Sequence, residues 1–363
     1  MKARVIALYL PQYHPIPEND KTWGKGFTEW TNVAQAKPLF KGHYQPKLPA
    51  DLGFYDLRLP EVREAQAELA RSAGIEGFMY WHYWMGNGKV LLERPFQEVL
   101  KSCKPDFPFC LGWANHPWTT ASWKKSSLLS SKTTIVDQLY PGIEDIKRHF
   151  DYVLPAFNDS RYIMVDKKPF FMIFDPLAIP NVKFFIETWR ELSFKAGLNG
   201  IHFVGIKHRS EQSRNLFYEL GFDAINNREL IEAEYKAFGS KNLKRLRSLI
   251  SFKTGSLIQK YKYSEIIKYL GNDEDYNDNV YPTILSGYDR TPRAGKKAVI
   301  YYDMSPELFG QHVAKTLNFL TNKRKEHKIV ILKSWNEWGE GNYIEPDLRY
   351  GLKFLDELRK KLV

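Results

Sequence analysis

The chain has 363 residues, 43% apolar and 26% charged, a globular balance that excludes a disordered or fibrous protein. Its formal charge is +11, yet residues 236–268 alone carry nine Lys or Arg against one Glu, which indicates one local basic element and excludes a general nucleic-acid surface. No apolar run approaches the roughly 18 residues of a membrane span.

In chain order, residues 5–10 read as a first strand ended by Pro11. This apolar run is too short for the core of a signal peptide, so a cytoplasmic chain is expected. Residues 20–47 form a long connection holding Trp23, Phe27, Glu29, Trp30 and His43, too aromatic for a mere linker. Residues 59–73 have helical spacing and end at Gly74, and residues 77–83 are a second, aromatic strand. A helix at 92–103 leads to a third strand at 107–113, followed by Asn115, His116 and Trp118. Cys103 and Cys110 fit no zinc or redox spacing and are expected as buried, reduced thiols.

Further helices are expected at 142–154, 182–196 and 217–220, alternating with strands at 169–174, 201–206 and 222–225. The basic segment comes next, as an insertion over 227–279 in one catalytic domain spanning 1–363. Leu243, Leu246, Leu249 and Ile250 recur in it at helical spacing with Lys241, Lys244, Arg245 and Arg247 between them. This basic amphipathic pattern fits either peripheral contact of residues 236–268 with an anionic inner membrane or a lipid-linked glycan, or a helix packed on the barrel with a solvated basic face. Residues 280–285 and 329–332 are the seventh and eighth strands, with helices at 305–321, capped by Ser305, and at 352–362. Eight apolar strands alternating with helices predict an α/β fold, a (β/α)8 TIM-type barrel with long loops at the C-terminal face of its strands.

The chemistry gathers after the strands. The eighth runs into Trp335-Asn336-Glu337-Trp338-Gly339-Glu340-Gly341, two carboxylates three residues apart among tryptophans and glycines. Glycosidic-bond chemistry needs such a pair, one carboxyl holding a proton for the leaving oxygen and one staying ionised. The glycines permit a turn that brings the carboxyls as close as the roughly 5–5.5 Å of retaining enzymes. Glu337 and Glu340 are the candidate catalytic residues. Tyr9, Gln12, His14, Trp30, His43, Trp81, His82, Tyr83, Asn115, Trp118, Asp289, Trp335 and Asn336 are candidate substrate contacts, because sugars stack on aromatic faces and pair with planar polar groups. Asp289 reads either as a paired structural acid or as a substrate contact. Arg290 and Arg293 suit a phosphate or an acidic sugar, or are surface charge. Asp273-Glu274-Asp275 follows no apolar strand and reads as an exposed acidic turn and not a metal motif. No metal or other cofactor is expected.

Several long motifs in order resemble the WbsX-type glycosyltransferases, a family related to the family 99 glycoside hydrolases, the endo-α-mannosidase group. They are residues 9–20 (Tyr-Leu-Pro-Gln-Tyr-His-Pro-Ile-Pro-Glu-Asn-Asp), 23–33, 42–46, 91–95, 113–115 and 335–347. The resemblance implies a (β/α)8 barrel acting on glycosidic bonds. It implies that Glu337 acts on the sugar's own 2-hydroxyl, so that retention passes through an epoxide-like intermediate. It further implies that Glu340 is the general acid and base, and that Tyr9 lines the sugar site. The chain departs from the family pattern at Asn115-His116-Pro117-Trp118, where Asn-Glu-Asn-Trp is usual, and at residues 287–293, where Trp-Asp-Asn-Thr-Pro-Arg is usual. Those departures leave the substrate open. The readings carried forward are glycosyl transfer in surface-polysaccharide synthesis, hydrolysis of the endo-α-mannosidase type, and a catalytically silent carbohydrate-binding barrel; the partner is an oligosaccharide or glycolipid.

Overall fold

The structure, a computed structural model, describes residues 2–363 apart from 121–132, 210, 241, 243–245, 247–248 and 251–257. Eight strands form its centre: β1 (Arg4–Tyr9), β2 (Gly77–Trp84), β3 (Phe109–Trp113), β4 (Lys168–Ile173), β5 (His202–Lys207), β6 (Ala224–Asn227), β7 (Val280–Leu285) and β8 (Ile329–Lys333). Each pairs in parallel with its sequence neighbours, and β8 closes on β1 with Arg4 opposite Ile329 and Ala7 opposite Leu332. This is a closed (β/α)8 barrel. All eight strands predicted from the apolar runs are present within two or three residues of their expected ends.

Helices including Pro60–Ser72, Ile143–Phe157, Val182–Lys195 and Pro306–Asn318 cover the outside of the barrel. Ser305 caps the last of these, its hydroxyl accepting from the Leu308 amide at 3.3 Å, with Pro306 at the first helical position as expected. Because the strands are buried on both faces, adjacent side chains meet different surroundings. Leu8 and Leu10 face a cavity at the barrel mouth, whereas Tyr9 between them donates its hydroxyl to Gln66 on the helix Pro60–Ser72, at 2.6 Å.

The long connection after β1 folds into two short helices, Pro17–Trp23 and Glu29–Ala34, the second of which packs on the loop that follows β8. Trp30 packs against Tyr13, Tyr55 and Trp338, and its indole N–H donates to the Tyr55 carbonyl at 2.8 Å. Asn336 ties the β1 and β8 loops together: its Oδ1 accepts from the Leu10 amide at 2.8 Å and its Nδ2 donates to the Leu10 carbonyl at 3.0 Å.

Two expectations are corrected. Cys110 is buried on β3, but Cys103 is exposed at the end of its helix. Asp275 is fully buried and not part of an exposed turn; it accepts from the Asn272 amide at 2.8 Å and from Asn227 at 3.3 Å, closing a capping box. The basic segment is described at its ends and at Asn242, Leu246, Leu249 and Ile250 between them. The helices Leu230–Phe238 and Tyr263–Tyr269 and the strand Gln259–Lys262, paired with Val299–Tyr302, build a small second core around Tyr261, Tyr263, Ile266 and Tyr301. Lys241, Leu243, Lys244, Arg245 and Arg247 lie outside the described residues. Among the described residues no helix is long and apolar enough to cross a membrane.

Asn336→Ala strips both hydrogen bonds from the buried Leu10 peptide. A loss of about 1–3 kcal/mol is expected, read as a lower urea midpoint; an unchanged midpoint would show that the tie contributes nothing.

Candidate active site

The mouth of the barrel holds a cavity of about 220 Å³ at the C-terminal ends of the strands. One side is aromatic: Trp81 and Tyr83 from β2, Trp118 after β3 and Phe174 after β4. The other is charged: Arg228 after β6, Arg290 and Arg293 after β7, Lys333 at the end of β8, and Glu337 and Glu340 in the loop beyond it.

The carboxylate pair is shaped by a tight turn. Residues Trp338–Glu340 form one turn of 3-10 helix, and Gly341 leaves it at φ +60°, so the predicted bend is formed. Gly339 is needed for packing: a Cβ there would lie 1.9 Å from a carboxylate oxygen of Glu29. Arg293 sits at the centre. Its guanidinium grips Glu29 through two bonds, Nε to Oε1 at 2.8 Å and Nη2 to Oε2 at 2.9 Å. The same Nη2 donates to Glu337 Oε1 at 2.5 Å, and Nη1 lies 3.2 Å from Glu340 Oε1. One guanidinium thus bridges both candidate catalytic carboxyls and anchors them to a helix from the other end of the chain.

The two carboxyls have opposite electrostatics. Burial pushes Glu337 up; Arg293 opposes, but neighbouring Glu340 and Glu29 add to the rise, which reaches about 7. Burial acts on Glu340 as well. There it is outweighed by Lys333, whose Nζ lies 3.1 Å from Oε2, by Arg290 at 3.4 Å and by Arg293, which hold that carboxyl well below the usual range. Environments that separate two acids in this way give one site a proton carrier and a fixed anion.

Of the expected contacts, Gln12, Trp81, Tyr83 and Trp118 line the cavity beside Glu337 and Glu340. The others are placed elsewhere. Tyr9 faces the helix layer, as described. His82, between Trp81 and Tyr83, points outward and meets His149 at 2.9 Å, and burial pushes its pKa down to about 3. His14 is buried away from the cavity, its pKa pushed by burial down to about 4. Trp30 and Trp335 are core. Asn115 and the Asp175 backbone exchange bonds of 2.7 and 2.8 Å, while the adjacent His116 reaches the cavity. Asp289 is a paired structural acid: His43 at 2.9 Å and Gln45 at 2.6 Å bond its Oδ2, and the Thr291 amide bonds its Oδ1. Despite burial, the His43 bond and the Lys47 charge hold it at about 2. Asn336 ties backbone and does not face the cavity. Arg290 and Arg293, weighed as surface charge, are both cavity residues.

Sequence reasoning missed Arg228, Lys333 and the clamp on Glu29. The first two did carry a signal, a cation at or just past a strand end. It also passed over Glu345, whose carboxylate accepts from Tyr55, Gln66 and the Trp338 indole at 2.6–2.9 Å and braces the loop.

A parallel barrel with a carboxylate pair at its C-terminal mouth is the architecture of a carbohydrate-active enzyme, and the comparisons agree. Residues 5–358 match the family described as glycosyltransferase WbsX, and the chain belongs to that family. It is 32% and 33% identical over its whole length to proteins named WxcX from two strains of Xanthomonas campestris pv. campestris, B100 and ATCC 33913, and it spans about half the length of those relatives. Among solved structures it resembles a glycoside hydrolase-like protein (TM-score 0.60, 17% identity, covering 99% of this chain and 93% of the other). It also resembles the GH99 endo-α-mannosidase from Bacteroides thetaiotaomicron (TM-score 0.52, 15% identity, 99% and 98% covered). Those likenesses bear on the fold.

Carboxyl-carbon NMR tests the electrostatics directly. Glu337, assigned by its absence in Glu337→Gln, should titrate near pH 7. In Glu29→Gln one negative neighbour is gone and Arg293 turns more fully to Glu337, so its midpoint should fall; an unmoved midpoint would show that Glu29 and its hold on Arg293 do not influence Glu337.

Proposed function

We propose that this chain is a retaining-type enzyme of glycosidic bonds that transfers a glycosyl group to another sugar hydroxyl in surface-polysaccharide assembly. The observation that carries the reading is the pair Glu337 and Glu340, bridged by one guanidinium and set apart in proton affinity by burial on one side and Lys333 and Arg290 on the other, at the edge of an aromatic-lined cavity. Family membership supports the sugar chemistry.

In the mechanism that the resemblance implies, Glu337 accepts the proton of the sugar 2-hydroxyl while O2 attacks the anomeric carbon, and Glu340 gives a proton to the departing oxygen. An acceptor hydroxyl then attacks the anomeric carbon and loses its proton to Glu340, while O2 regains its proton from Glu337. A base that titrates near 7 suits the first role. Glu340 suits the second only when the cations around it are engaged elsewhere, because an acid held ionised has no proton to give. Trp81, Tyr83 and Trp118 offer faces for sugar stacking and screen the intermediate from water, which favours acceptor over hydrolysis.

Hydrolysis is the second reading, favoured by the fold shared with the endo-α-mannosidase. Purified protein is incubated with candidate oligosaccharides, with and without acceptor, and products are followed by mass spectrometry. Acceptor-dependent products are expected, and release of free sugar without acceptor dependence would overturn transfer in favour of hydrolysis. Glu340→Gln should fold and lose nearly all turnover. Activity should fall on the acid side as Glu337 takes up its proton near pH 7. A full rate in Glu340→Gln, or a profile flat from pH 5 to 8, would remove the pair from the mechanism.

Peripheral membrane contact through residues 236–268 belongs to the same reading. Leu246 and Leu249 are more than half exposed, and the segment's charge suits anionic lipid. Flotation with anionic vesicles at low salt should carry the protein upward; protein left at the bottom would exclude that contact.

A further inference from the structure

Arg228 has no role in the chemistry above, yet its surroundings are unusual. It follows β6 directly, its amide donating to the Lys207 carbonyl at 3.0 Å, and its side chain lines the cavity with only 6% of the residue exposed. Its Nε and Nη2 are sealed from solvent and have no hydrogen-bond partner among the described residues. A buried guanidinium without a partner is costly, and its fork of donors matches the two oxygens of a carboxylate or phosphoryl group.

The neighbours point the same way. Arg228, Arg290, Arg293 and Lys333 line one side of the cavity, against Glu337 and Glu340, with Glu29 behind. Four cations therefore meet three carboxylates, one of which shares its guanidinium with both of the others. Glu29 and Glu337 occupy Arg293, leaving Lys333 and Arg290 to the single carboxylate of Glu340. Even there Arg290 Nε lies 3.4 Å from Glu340 Oε1 and makes no hydrogen bond. The burial that weakens Arg228's hold on its charge, to about 10, is eased only by the more distant Glu340, Tyr288 and Glu337. The positive side of the cavity is thus left short of oxygen partners.

We propose that the substrate of this site is an acidic glycan or glycosyl donor whose oxyanion seats on Arg228, with Lys333 and Arg290 turning from Glu340 to it. The inference rests on the reading of the cavity as a sugar site and adds the chemical class of what enters. It also supplies what the mechanism lacks: an oxyanion that draws Lys333 and Arg290 away leaves Glu340 able to hold the proton for the departing oxygen. The oxyanion is a carboxylate, as in a hexuronic acid, or a phosphoryl group, as in a sugar diphosphate.

Calorimetric titration of the full chain with glucuronate, inorganic pyrophosphate and uncharged glucose distinguishes the sources. At least one anion should bind about tenfold or more tightly than glucose, weakening as salt rises. Arg228→Gln should lose about tenfold or more of that affinity, and Arg290→Gln, at the more open rim, should lose part of it. Glu340→Gln removes the internal competitor and should tighten the same anion. Anions that bind no better than glucose, or bind Arg228→Gln as well as the parent, overturn the inference. Should Arg228→Gln not fold, an anion affinity indifferent to both Arg290→Gln and Glu340→Gln overturns it equally. Binding is read without turnover, so anion binding in a chain that transfers nothing counts against the catalytic reading alone. Transfer of neutral sugars without anion binding counts against this inference alone.

Discussion

The site depends on the guanidinium of Arg293. It touches Glu29, 264 residues away in sequence, and Glu337, 44 residues away, with Glu340 within 3.2 Å. No one of these carboxylates could be buried beside the other two without a cation between them, since like charges at such distances in a poorly screened interior repel strongly. The clamp therefore sets two things together, the position of the long loop after β1 and the shape of the turn after β8, while Lys333 and Arg290 on Glu340 alone separate the paired glutamates. Gly339 is a consequence, because only a residue without a Cβ leaves room for the Glu29 carboxylate.

Barrel topology explains why the cavity is two-sided. β6, β7 and β8 are neighbours in the closed sheet, as are β2, β3 and β4. The cations and both glutamates come from the first group and the aromatic faces from the second. A sugar lying between them would stack its ring on one side and present oxygens to the other. Such a division orients a ligand between its two walls.

Several polar residues that look functional in sequence turn out to be braces. Asn336 fastens the Leu10 peptide, Asp289 gathers His43 and Gln45, and Glu345 collects an indole, a phenol and an amide; burial pushes that last carboxyl up to about 7. Long loops at a barrel mouth carry many buried backbone and side-chain polar groups, and each needs a partner. Residues that meet this need are as polar, and as close to the strand ends, as residues that meet a ligand. Such braces tie down the turn that carries Glu337 and Glu340.

What the sequence determined by itself was the barrel and the carboxylate turn. Short β-branched and aromatic runs alternating with capped helices leave few other folds, and acids among tryptophans and glycines after a strand signal their own turn, so β8 and Glu337–Glu340 were legible locally. Which side of each strand met the cavity was decided only by the tertiary structure. In a parallel barrel both faces of a strand are buried, so composition marks no inward side: Trp81 and Tyr83 face the mouth while His82 and Tyr9 do not. The charged half was equally hidden, because Glu29, Arg228, Arg293 and Lys333 stand on separate loops and strand ends. They become one electrostatic unit only when the closure of β8 on β1 brings the two ends of the chain together.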